Sequence, residues 1–139
     1  MYAPEVERSA GYLVKRVQQS LRRRCDAALR PTGLSMAQYA ALRALADHPE
    51  ASASELARLC FITRQSLQDL LTGLRTSGLV RAASPLALTH EGRKRLGDSH
   101  DVVIGVEREM VQGLSPSARR QLADLLTQCA ENLESGAAG

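Results

Sequence analysis

Apolar residues return every three or four positions in six separate runs of this chain and rarely in strict alternation. That spacing lines one face of a helix, so the pattern predicts six helices. In the first, over about residues 5–29, the stripe is Ala10, Leu13, Val14, Val17, Leu21, Cys25 and Ala28, and Pro31 with Gly33 closes it. The second begins after the N-cap Ser35, turns Tyr39, Leu42, Leu45 and Ala46 inward, and stops before His48 and Pro49. Ser52 and Glu55 then stand at capping-box spacing, the serine oxygen taking a free backbone N–H while the glutamate reaches back to the cap. This opens a helix of about two turns over residues 53–60, with Leu56, Ala57 and Cys60 inward.

After the dipeptide Phe61-Ile62, Thr63 caps a fourth helix with Leu67, Leu70, Leu71 and Leu74 inward and Gly78 at its end, where a left-handed residue carries no Cβ penalty. Helix, tight turn, helix is the result. The only β segment the pattern allows is a very short hairpin around Ser84 and Pro85. Thr89 caps a long fifth helix to about residue 113, bearing Leu96, Val103, Val106 and Met110. Ser115 and Pro116 start a sixth, with Leu122, Leu125, Leu126, Cys129 and Leu133 on one stripe and a frayed tail over residues 134–139. The predicted fold is therefore mainly α with a very small β-hairpin, a central helix-turn-helix flanked by one N-terminal and two C-terminal helices. Those flanking helices carry more leucine and valine than a three-helix core covers, and an isologous twofold dimer is the simplest way to bury it.

Composition agrees with a helical chain. Aromatic side chains are few (three Tyr, one Phe, no Trp), and 139 residues suffice for one domain with a real core. The net charge of +3 is uneven: residues 1–30 carry +4, residues 31–92 are neutral, and residues 93–139 carry −1. The basic N-terminal segment, with Arg22, Arg23 and Arg24 in a row, is a weak pointer to an anionic partner. No apolar run is long enough to span a bilayer, and the start "MYAPEVERSA" has no secretory pattern, so a cytoplasmic protein without a membrane partner is expected. Three widely spaced cysteines suit neither a disulfide framework nor a zinc site.

The chain resembles the MarR family of bacterial winged-helix transcription regulators over nearly its whole length. The resemblance is carried by "GYLVKRV" (11–17), "GLSMAQYAALRAL" (33–45), "SASELARLCFITRQSLQDLLTGLRTSGLV" (52–80), "LALTHEGRKRL" (86–96) and "LSPSARRQLADLL" (114–126), taken in that order and spacing. It implies a single MarR-like domain over 1–139, with 35–92 as a winged helix-turn-helix and 1–34 and 93–139 as dimerisation helices. A homodimer would place one recognition helix in each half-site of a pseudo-palindromic operator in double-stranded DNA. Members commonly act as repressors released by small anionic or phenolic molecules or by cysteine oxidation. The family's wing usually runs longer and has a basic tip; here residues 81–87 form it and Arg81 is its only charge.

On the fourth helix the side facing away from Leu67, Leu71 and Leu74 is Gln65, Gln68, Asp69, Thr72 and Thr76, with Arg64 and Arg75 at one edge. Glutamine pairs bidentately with adenine N6 and N7, so Gln65 and Gln68 have the chemistry of base readers. Thr63, Arg64, Ser66, Arg75 and Arg81 suit phosphate contacts that set register. The plain alternative is a solvated polar face. From the resemblance, Tyr12, Arg16 and Gln19 are candidates to line an effector site, a phenol and a guanidinium suiting an aromatic carboxylate; they fit ordinary surface equally. Cys25, beside three arginines, fits either a core thiol or a peroxide-reactive thiolate. Cys60 and Cys129 read as core. His48, His90 and His100 show no metal spacing, and no cofactor motif, phosphate loop, nucleophile elbow or carboxylate pair supports an enzyme. Two function classes remain: a ligand-responsive DNA-binding repressor, or a helical dimer of the same descent that binds a ligand or protein with weakened DNA affinity. Redox sensing through Cys25 is a variant of the first.

Overall fold

Side-chain caps decide where the helices of this protein begin. In the computed structural model, which describes residues 5–138, Ser9, Ser35, Ser52 and Thr63 each accept a hydrogen bond from the backbone N–H three residues on. The resulting helices are α1 (Ala10–Leu29), α2 (Met36–Asp47), α3 (Ala53–Leu59), α4 (Arg64–Thr76), α5 (His90–Met110) and α6 (Pro116–Ala138). Ser35 with Gln38, and Ser52 with Glu55, close reciprocal capping boxes. The first helix starts later than its periodicity suggests, because Ser9 caps it and Glu5–Arg8 form a separate 3-10 turn. The first four residues of "MYAPEVERSA" lie outside the described residues. At the other end, α6 continues through the segment expected to fray, as far as Ala138.

The described residues fall into two compact units whose boundary lies within α5, after Val106. The first unit holds the core. Leu67, Leu71 and Leu74 of α4 are buried with Leu56 and Ala57 of α3, Leu42 and Leu45 of α2, Cys25 and Leu29 of α1, and Leu96, Val103 and Val106 of α5. On α2 it is Ala41 and not Ala46 that is buried; Ala46 is exposed beside the buried Leu45 at the end of the helix. Polar cross-links fix the helices to one another. Asp26 Oδ1 accepts from Met36 N at 2.7 Å, Tyr39 Oη meets His100 Nδ1 at 3.0 Å, and Arg95 Nη1 donates to Thr32 O at 2.9 Å.

The hairpin after α4 is reduced to one antiparallel bridge, Val80 to Leu88, with Arg81 N donating to Ala87 O at 2.9 Å. Between those residues the return arm contains Pro85, which has no N–H to extend the ladder. Its base is better secured than its tip. Thr89 Oγ1 donates to Gly78 O at 2.6 Å and accepts from Gly92 N at 3.0 Å, while Thr89 N donates to Leu79 O at 3.1 Å. The cap of α5 is thereby also the clasp of the wing.

Ser99 occupies a core position of α5, fully buried, and its Oγ has no hydrogen-bond partner among the described residues. An unsatisfied buried hydroxyl costs about 1–3 kcal/mol. Ser99→Ala is therefore expected to stabilise the protein by about 1 kcal/mol, read as a higher denaturant midpoint at unchanged slope. A lower midpoint would show that the hydroxyl contributes a bond in solution.

The second unit contains the end of α5 and α6. Gly113 turns the chain with a φ of 88°, and Ser115 Oγ accepts from Ala118 N at 3.1 Å to start α6 behind Pro116. Apart from Ala118 and Leu122, which are half-buried, the side chains of α6 through Gly136 are exposed. Leu125, Leu126 and Leu133 are 57%, 45% and 77% exposed, and Cys129, expected in a core, is exposed too. Its stripe is real, but no described residue of its own unit covers it.

Candidate nucleic-acid interface

The helix-turn-helix runs from α3 through the turn into α4, and its polar side is built by the same residues that set the helix. Thr63 Oγ1 accepts from Ser66 N at 3.0 Å and donates to Ser66 Oγ at 3.0 Å, so both hydroxyls sit at the N-terminus of α4, the positive end of its dipole. With Leu67, Leu71 and Leu74 buried, the opposite face carries Gln65, Asp69, Thr72 and Thr76, flanked by Arg64 and Gln68, all exposed. Thr72 and Thr76 spend their hydroxyls on carbonyls one turn back, Gln68 O at 2.9 Å and Thr72 O at 3.0 Å.

Thus α4 and its cap bring Thr63, Arg64, Gln65, Ser66 and Gln68 together on one surface. Two of the candidate residues are also engaged within the chain. Gln65 Nε2 donates to Asp69 Oδ1 at 3.1 Å, so its amide is braced. Arg75, half-buried at the far end of α4, directs Nε to the carbonyl of Arg81 at 3.3 Å and so bridges helix and wing. The Arg81 side chain itself is exposed on that short wing.

The turn holds a residue that periodicity does not single out. Phe61 has a positive φ of 58° and is 92% exposed. A β-carbon-bearing residue in this region carries backbone strain. Phe61 stands at the mouth of a cleft of about 310 Å³ whose other walls include Gln18, Leu21 and Arg22 of α1, Met36 of α2, and Leu70. The lining is mostly apolar, with one guanidinium. Tyr12, Arg16 and Gln19 are exposed on α1 but belong to a different stripe and are not among this cleft's walls. Residues 18 and 22, one turn apart, are the positions that a stripe through Cys25 and Leu29 would have indicated.

Cysteine chemistry separates by depth. Cys25 is fully buried, the core position, whereas redox-sensing thiols are solvent-accessible. Cys60 is the C-cap of α3 and not a fully buried residue; its Sγ points to Ala40 O at 3.6 Å, and burial pushes the thiol's pKa up. It is therefore a poor source of thiolate at neutral pH.

Comparison with known proteins agrees with this architecture. Residues 32–86, spanning α2 to the wing, match the sequence profile of the MarR family. The chain is 33% identical over 124 residues to the HTH-type transcriptional repressor Rv2887 of Mycobacterium tuberculosis, covering 84% of this chain and 89% of that protein. The crystal structure of that MarR family protein in complex with DNA superposes with a TM-score of 0.77 at 31% identity, covering 92% of this chain and 98% of the other. Its complex with salicylic acid gives 0.74 at 32% identity, with 87% and 98% covered. Among the described residues no helix is long and apolar enough to cross a membrane. The match over the helix-turn-helix, the structural likeness and this level of identity over most of both chains place the protein in the MarR family of transcription regulators.

Proposed function

We propose that this chain is a homodimeric repressor that reads a pseudo-palindromic operator through α4 and is released by a small aromatic acid. The observation that carries the reading is the polar face of α4, where two glutamines stand exposed beside a capped helix N-terminus. Gln65 and Gln68 are base readers. Thr63, Arg64 and Ser66 contact phosphate, Arg81 adds a single wing contact, and Arg75 divides its guanidinium between phosphate and the wing backbone. Residues 35–92 form the DNA-binding module, and residues 1–34 and 93–139 supply the dimer helices. Kinship with a repressor solved on DNA and with salicylic acid supports both halves of the reading.

The effector site best supported is the cleft under Phe61, where an apolar floor would take an aromatic ring and Arg22 its carboxylate. That wall joins α1 to α4, so a ligand held there acts on the recognition helix directly.

A duplex selected from a randomised pool by the purified protein, labelled for fluorescence anisotropy, tests the assignment. Gln65→Ala and Gln68→Ala should each weaken that duplex by about 1–3 kcal/mol and leave a scrambled duplex nearly unchanged. Arg64→Ala should weaken both and reduce the salt slope by about one unit for each phosphate that is no longer neutralised. Salicylate should release the selected duplex, and Arg22→Ala should abolish that release. Uniform losses for the glutamine variants on both duplexes would remove α4 as the reader.

A further inference from the structure

A carboxylate on the DNA-facing side of a recognition helix is repelled by phosphate and lowers affinity for every sequence alike. Asp69 stands on that side, opposite the buried Leu67, Leu71 and Leu74, and it is exposed. It is bonded to the residue a turn earlier, accepting at Oδ1 from Gln65 Nε2 at 3.1 Å. Resting on the DNA-reading assignment above, we infer that Asp69 is a specificity-determining positioning residue, which braces the Gln65 amide so that it presents an adenine-reading edge.

The chemistry lies in the two N–H groups of a glutamine amide. Adenine is read by the amide oxygen, which accepts from N6–H, together with the N–H on the same side as that oxygen, which donates to N7. The other N–H plays no part in that pair, and Asp69 one turn away offers it an acceptor. An unbraced glutamine at the second residue of α4 rotates freely and presents oxygen or nitrogen outward in turn, so it discriminates poorly. The ion–amide bond fixes which atom faces the groove and removes side-chain freedom before DNA arrives. No other carboxylate lies on α4, and Asp69 carries the sole negative charge from residue 56 to residue 90, a stretch otherwise basic.

Two substitutions separate bracing from charge. Asp69→Asn keeps an oxygen that accepts from Gln65 and loses the charge; Asp69→Ala loses both. The probes are the duplex selected from a randomised pool by wild-type protein and a set in which each A·T pair of a half-site is changed in turn. Both variants should bind all duplexes more tightly than wild type. Asp69→Ala should lose about tenfold in discrimination at one A·T pair, the pair that Gln65→Ala also ceases to read. Asp69→Asn should keep that discrimination, and Asp69→Ala should add nothing to the loss in a Gln65→Ala background. If the two Asp69 variants gain affinity equally and both keep wild-type discrimination, or if both lose it equally, the bracing role is overturned. If wild-type protein enriches no sequence from the pool, the DNA-reading assignment itself fails, and this inference with it. An exposed side chain leaves the melting temperature near that of wild type, so each outcome is read on folded protein.

Discussion

Gly92→Ala should destabilise the protein by at least about 3 kcal/mol, while Gly97→Ala, five residues along the same helix, should stabilise it by up to about 1 kcal/mol. Helix propensity alone favours alanine at both positions. The difference is what the added methyl meets. At Gly97 nothing lies within 4 Å, whereas a Cβ at Gly92 would sit 2.0 Å from the carbonyl oxygen of Leu79 and 2.9 Å from its carbon. Those are backbone atoms with little freedom, since Leu79 N is bonded to Leu74 O at 2.9 Å and Leu79 O accepts from Thr89 N at 3.1 Å. To admit the methyl, α5 must lift away from the end of α4, and the clasp between Thr89 and Gly78 opens with it. The overpacking and the broken hydrogen bonds add, which outweighs the propensity gain. Thermal unfolding followed by circular dichroism should place Gly92→Ala roughly 10 °C below wild type and Gly97→Ala slightly above. The Gly92→Ala variant should also lose operator binding, because the clasp seats the wing beside α4, the proposed reading helix. A Gly92→Ala protein that melts at or above wild type would show that this contact yields without cost.

The caps explain why so much of this fold is legible in sequence. Ser35, Ser52 and Thr63 begin helices where a short polar side chain precedes an apolar run, and Gly33, Gly78 and Gly113 take positive φ where the chain turns. The polar face of α4 follows directly from its three buried leucines. Periodicity cannot say what covers a stripe, however. Leu13, Val17, Cys25 and Leu29 share one helix, yet only the last two are covered within their own unit. Cys129 departs from its expected core position for the same reason. The brace from Gln65 to Asp69 lies open at a four-residue spacing, whereas the bond from Arg75 to Arg81 depends on how a loop returns, and the left-handed turn at Phe61 has no glycine or asparagine to announce it. The wing is visible as a hairpin, but its reduction to a single bridge turns on the backbone path around Pro85.

The uncovered stripes lead to the largest effect on function. Replacing Leu13 and Val17 together by aspartate should convert a dimer into a folded monomer and reduce operator affinity by about a hundredfold or more. In the first unit, Leu13, Val14 and Val17 are 41%, 52% and 48% exposed along α1, while Cys25 and Leu29 anchor the end of the same helix in the core. Aspartates at 13 and 17 therefore sit where water already reaches in the single chain, and the monomer's own core loses nothing. In the proposed dimer, joined through this face of α1, those positions are buried, and carboxylates there would be desolvated without partners. A twofold operator is held by two recognition helices, the second binding at the effective concentration set by the first, so a monomer keeps the contacts of one half-site only. Light scattering should give wild type at twice the chain mass and the double variant at the chain mass, with the far-ultraviolet helical signal retained. Anisotropy should show the loss on the full operator and almost none on an isolated half-site. A double variant that stays dimeric would move the interface away from this face of α1. A monomeric wild type that still binds the full operator at undiminished affinity would remove the twofold reading altogether.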